Sequence, residues 1–408
     1  MNILFYTIIA ILLLQFLIET ILDYLNAKRY GEAIPKDLED VFDSGEYQKS
    51  QAYQKTNYRF GLLSSLFSII LTLAFLVFGG FEWADQIARS FSSNEMAITL
   101  IFFGIITVGS DILSTPFSYY RTFVIEERFG FNKSTKKLFL IDKLKGWLMM
   151  AILGGGVITL AIWFYQWAGA NFWLYVWGLV TCIVVFMNLF YSKLIVPLFN
   201  KQTPLEEGTL KSKIEAYAAK VGFELQHIFV IDGSKRSTKA NAYFSGFGRE
   251  KRVTLYDTLI KDLEEDEIVA VLAHEVGHYK RKHIIFNLTA SILVLGFTLF
   301  ILSLFINNPE VSKAIGVSQP SFHAALIGFG ILYSPISELT SLVMNILSRK
   351  FEYQADNYAK TTFAARPLVT SLKKLSKNSL SNLTPHPAYV FMHYSHPPLI
   401  ARIKNLMA

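Results

Sequence analysis

Seven apolar stretches recur along the chain, at residues 3 to 22, 61 to 80, 97 to 116, 147 to 167, 171 to 192, 284 to 306 and 323 to 347. Each is close to the roughly 20 helical residues that cross a hydrocarbon core. The first lacks a basic leader and a small-residue cleavage site and reads as a helix rather than a signal peptide. Between the fifth and sixth stretches, residues 193 to 283 form the one sizeable polar insertion. There, "LEEGTLKSKIEAYAAKVG" spaces apolar residues as an amphipathic helix does, acidic early and lysine later, and ends at Gly222. "LQHIFVID" and "KRVTLYD" have strand composition, and the glycine-containing "NAYFSGFG" between them predicts a strand or ribbon edge. The insertion closes on "VLAHEVGHYKRKH". Asp262, Glu264, Glu265, Asp266 and Glu267 start this segment and Lys280, Arg281 and Lys282 end it, which complements a helix dipole.

Composition agrees with a membrane protein: 52% of the 408 residues are hydrophobic and 15% aromatic, and the mean hydropathy is +0.34. Cys182 is the only cysteine, so no disulfide framework exists. The net charge of +7 resides in alternate loops. Lys and Arg crowd the first, third and fifth connections and the tail, while the links near 81 to 96, 168 to 170 and 307 to 322 hold few or none. By the positive-inside rule the N-terminus is outside and the C-terminus cytoplasmic. Basic residues spread over juxtamembrane loops do not form a nucleic-acid face.

His274 and His278 lie four apart, on one face of a helix, and can offer two imidazole nitrogens to one cation. Glu275 sits one position round, where a base could take a proton from metal-activated water. A catalytic zinc needs a third protein ligand. The sixth and seventh stretches form a hairpin that starts just after His278 and ends just before "SRKFEYQADNYA", so both ends return to one membrane face. This makes Glu352 the third ligand, with Asp356 one turn further on placed to orient a ligating histidine. His227, His283, His323, His386 and His393 lack ligand spacing and read as surface or core residues. Glu19, Asp111 and Glu338 fall within or near spans, where they either line a wet cavity or are paired.

"HEVGH" leading into a span, "SRKFEYQAD" after the next two, "NAYFSG" upstream, "SHPPLIARI" near the end and "EERFGFNKST" in a basic loop together resemble the type I integral-membrane CAAX prenyl proteases. The resemblance covers nearly the whole chain. It implies a mainly α, multi-pass fold of seven transmembrane helices around a chamber, with a small α/β gluzincin-like metalloprotease domain. It also implies one Zn2+ on His274, His278 and Glu352, with Glu275 activating water. Asn241, Ala242 and Tyr243 match the family's substrate-binding edge strand, and His396 matches a histidine that stabilises the oxyanion. Arg402, six residues on, could pair with an acidic group at the site.

The expected organisation is a five-helix membrane region at 1 to 192, a catalytic insertion at 193 to 283, a hairpin at 284 to 347 and a tail at 348 to 408 that completes the zinc site. The expected reaction is hydrolysis of a peptide or protein substrate, prenylated if the family's specificity holds, by a bilayer-embedded enzyme. Two other readings remain. One is a bacterial quality-control protease without a prenylated substrate, since the tail "NLMA" carries no retrieval signal. The other is a non-catalytic transporter or scaffold.

Overall fold

The computed structural model describes residues 2–40, 42–225, 227–245 and 252–408. Six helical runs among them are long and apolar enough to cross a membrane. The first three contain α1 (Ile3–Ala27), α2 (Ser44–Val77) and α4 (Glu95–Tyr120); the amphipathic α3 (Gly80–Phe91) lies between the last two. Asp43 and Glu46 start α2 with reciprocal side-chain caps, and Asn94 caps α4. Helix α4 contains Pro116 and continues into a π-helical turn at Arg121–Glu126.

The fourth run holds two of the seven stretches. Helices α5 (Lys136–Met149) and α6 (Gly155–Ala168) are joined by π-turn residues Met150–Gly154, and α7 (Phe172–Leu194) follows a short turn. Gly169 opens that turn at φ 56° and ψ −126°, a region that a side chain would make costly, and α6 packs back against α7. The stretch expected at 147 to 167 is therefore interrupted rather than uniformly α-helical. Only 6 to 17% of the apolar window in each run is buried against protein. Most of each window therefore faces away from protein.

The insertion folds as β1 (Gln202–Pro204), α8 (Thr209–Lys220), β2 (His227–Ile231), β3 (Ala242–Ser245), β4 (Arg252–Tyr256) and α9 (Glu265–Lys280). The sheet order is β1-β2-β4-β3, with β2 and β4 parallel and the outer pairs antiparallel, so β3 is an edge. Of the segments read from sequence, Gly246, Phe247 and Gly248 of the ribbon, with Gln226 and Lys251, lie outside the described residues. Then follow α10 (His283–Phe305), the long α11 (Phe322–Thr362), α12 (Ala365–Asn378), α13 (Pro387–His393) and α14 (Leu399–Met407).

One hydrophobic core joins these parts. Leu38 and Phe42 from the first loop and Tyr47 from the first turn of α2 pack with Ile214, Leu255, Leu272, Leu368 and Leu406. The first loop thus supports the catalytic fold from the far end of the sequence. At the opposite end of the spans, Phe5, Ile8, Leu76 and Phe102 form a second cluster. Beside it the His323 ring bonds Asp85 at 2.7 Å and Thr99 at 3.0 Å. His323 is therefore a satisfied core residue. Asp111 is likewise paired, accepting from Lys143 at 2.7 Å and Trp147 at 2.8 Å, and Glu19 lies 3.3 Å from His393.

Candidate active site

Helix α9 begins with a capping box between Glu264 and Glu267, and its first turn carries Glu265, Asp266 and Glu267, which offset the positive end of the dipole. Its buried face meets α11, and Gly277 sets how closely. A Cβ at Gly277 would stand 3.1 Å from the Cα and carbonyl oxygen of Ala355 and from the Cβ of Tyr358. The missing side chain lets the histidine face of α9 reach the carboxylate face of α11.

At that crossing, His274 Nε2 and His278 Nε2 face each other at 3.1 Å. Glu352 completes the triangle, with Oε2 3.4 Å from His274 Nε2 and Oε1 3.3 Å from His278 Nε2. This is a group of three that could hold a metal ion. A tetrahedral zinc about 2.0–2.1 Å from each donor separates the donors by roughly 3.3–3.4 Å, close to the spacing of these three groups. The donor chemistry fits as well. Glu352 is buried, yet its Oε2 makes no hydrogen bond, an orphan that a cation would satisfy.

The groups behind the triangle fix its orientation. His274 Nδ1 lies 2.9 Å from Asp356 Oδ1, so an Nδ1 proton donated there leaves Nε2 free. Asp356 is fully buried and takes two hydrogen bonds from Arg402, at 2.9 and 2.6 Å. The acidic partner expected for Arg402 is therefore Asp356, and Arg402 Nη1 also reaches within 3.4 Å of Glu352. Burial alone would lower the pKa of His274, but the carboxylates of Asp356 and Glu352 raise it to about 9.

Glu275 is half-buried and faces a cavity of about 390 Å³ together with Asn241, Ala242, Glu352 and His396. His396 Nε2 is 3.3 Å from Glu352 Oε1, with its ring largely exposed and its Nδ1 3.0 Å from Ser395. The cavity continues along Leu368, Leu372 and Leu375 of α12. Asn241 and Ala242 thus reach the site at the sheet edge, whereas Tyr243 packs edge-on against Tyr256, with ring centroids 6.5 Å apart.

Sequence reasoning missed His283, which lies 3.0 Å from the back of His278. It also missed Lys239, which bonds Glu126 and Tyr53, each at 3.0 Å, and so ties the approach to β3 to the membrane helices. Lys239 lies only two residues before Asn241, the one signal that could have marked it.

Two imidazoles from one helix, a carboxylate from a later one and a free acidic group beside them define a metallopeptidase site. Comparison with known proteins agrees. Residues 23–201 match the CAAX prenyl protease N-terminal model of five membrane helices, and residues 204–408 match the model of peptidase family M48. A CAAX prenyl protease 1 homolog of Oryza sativa subsp. japonica is 36% identical, covering 98% of this chain and 96% of that protein. CAAX prenyl protease 1 of Saccharomyces cerevisiae is 34% identical, with coverages of 96% and 92%. The crystal structure of S. mikatae Ste24p superposes with a TM-score of 0.94 at 32% identity over 100% of both chains. The chain belongs to peptidase family M48 and is a multi-pass membrane metalloprotease.

Proposed function

We propose that the chain binds one Zn2+ through His274, His278 and Glu352 and hydrolyses peptide bonds near the C-terminus of prenylated substrates. The observation that carries this reading is the convergence of His274 Nε2, His278 Nε2 and the Glu352 carboxylate within 3.1–3.4 Å of one another. The names of the relatives, CAAX prenyl proteases along nearly their whole lengths, support the substrate class.

When bound, zinc supplies Lewis-acid polarisation of the scissile carbonyl and makes water a nucleophile near neutral pH. Glu275 takes the proton from the attacking water and delivers it to the amide nitrogen as the C–N bond breaks, leaving a carboxylate and an amine. His396, at the mouth of the cavity, donates to the oxygen that gains charge. Asn241 and Ala242, at the open edge of β3, pair with the extended substrate backbone. Asp356 and Arg402 keep His274 in the tautomer that presents Nε2. The basic loops support a cytoplasmic site and C-terminus.

The test is cleavage of a prenylated cysteine peptide, its unprenylated twin and an unfolded membrane protein by the full chain. Preference for the first is expected. Equal turnover of all three would favour a quality-control role instead.

A further inference from the structure

His283 opens α10 only five residues after His278, yet its ring turns back onto it. On an unbroken helix a residue five positions on would point roughly 140° away, at about 100° per residue. The break comes at Lys282, whose φ of 60° and ψ of 25° are left-handed. Among the described residues only Lys282 and Leu380 adopt positive φ without being glycine, and this conformation is uncommon for a residue with a side chain. Local strain of this kind persists only where the surroundings enforce it.

The surroundings here are specific. The His283 ring is buried and stacks on Phe351 of α11 with centroids 4.2 Å apart and planes at 10°. One ring nitrogen, Nε2, is 2.8 Å from Gln354 Oε1, and the other, Nδ1, is 3.0 Å from His278 Nδ1. An amide oxygen only accepts, so His283 Nε2 carries the hydrogen. A neutral imidazole has one N–H, which leaves His283 Nδ1 as an acceptor. His278 Nδ1 must then be the donor, and His278 Nε2 is left bare toward His274 and Glu352.

We propose that His283 is a positioning residue: with Gln354 it fixes the tautomer and ring orientation of His278, through a hydrogen-bond chain made possible by the left-handed turn at Lys282. His274 and His278 are then held from behind by different chemistry, a carboxylate–arginine pair for the first and a histidine–amide pair for the second. The second pair joins the end of α9, the start of a membrane span and α11, so the orientation of one donor depends on how that span is seated. The inference rests on the reading of His278 as a metal ligand.

The experiment measures the Zn2+ dissociation constant of the full chain in detergent by chelator competition, for wild type, His283→Phe, Gln354→Leu, Gln354→Glu and His278→Ala. His283→Phe keeps the stack on Phe351 but loses both hydrogen bonds and is expected to weaken zinc about 10–100-fold. Gln354→Leu weakens it by a smaller factor. Gln354→Glu, still an acceptor, retains wild-type affinity, a rescue that packing alone would not give. Wild-type affinity in His283→Phe, with zinc lost in His278→Ala, overturns the inference and leaves the ligand reading intact. Wild-type affinity in His278→Ala overturns the ligand reading and this inference with it. If His283→Phe does not fold, the Gln354 pair decides: weak Leu and tight Glu support the relay, and equal affinities refute it.

Discussion

Asp356→Leu is the most informative single perturbation of the site. The carboxylate is fully buried, takes two hydrogen bonds from Arg402 and lies 2.9 Å from His274 Nδ1. Leucine fills similar space but leaves the buried guanidinium without its bidentate partner and the imidazole N–H without its acceptor. Removing one partner of a buried ion pair costs about 3–5 kcal/mol, most of it the charge left behind. Adding Arg402→Met removes that charge, so the double variant should regain much of the loss, with a coupling of about 1–3 kcal/mol. Metal affinity should not follow stability. His274 stays unoriented in both variants, and zinc should bind about 10–100-fold more weakly in each. Thermal midpoints of the detergent-solubilised chain, with zinc and with chelator, separate the two effects. A single variant as stable as wild type, or a double variant no better than the single, would refute the assignment of Asp356 and Arg402 as one buried unit.

Two further outcomes follow from the same geometry. Gly277→Ala presses a methyl group against the backbone of Ala355 and should cost about 1–3 kcal/mol of stability, read as a lower thermal midpoint, while weakening zinc; an unchanged midpoint would mean that α9 and α11 are less tightly crossed. The His274 pKa, raised from 6.5 to about 9, means that the protonated ring prevails at neutral pH and that a cation must displace this proton. Zinc affinity should therefore rise about tenfold per pH unit from pH 6.5 to 8.5 and flatten above 9, and a pH-independent affinity in the same chelator assay would contradict that exchange.

Much of this site was legible because its signals are local. His274 and His278 share a helix face by spacing alone, the acidic and basic ends of α9 mark its limits, and apolar length reveals the hairpin that returns Glu352 to them. What was not legible depends on backbone angles and distant partners. His283 lacks ligand spacing in one dimension and meets His278 only because Lys282 turns left-handed. Whether Asp111 was paired or lined a cavity stayed open because its partners, Lys143 and Trp147, lie more than 30 residues on, in a helix with no clear apolar face. Leu38, Phe42 and Tyr47 read as loop residues, since nothing in hydropathy says that a loop will complete the core of a domain beginning some 150 residues later.

The most direct measurement is a zinc-edge anomalous map from crystals of the zinc-loaded chain. A single peak is expected within about 2.0–2.2 Å of His274 Nε2, His278 Nε2 and one Glu352 oxygen. A peak that leaves Glu352 out of reach, or none between the two imidazoles, would contradict the account.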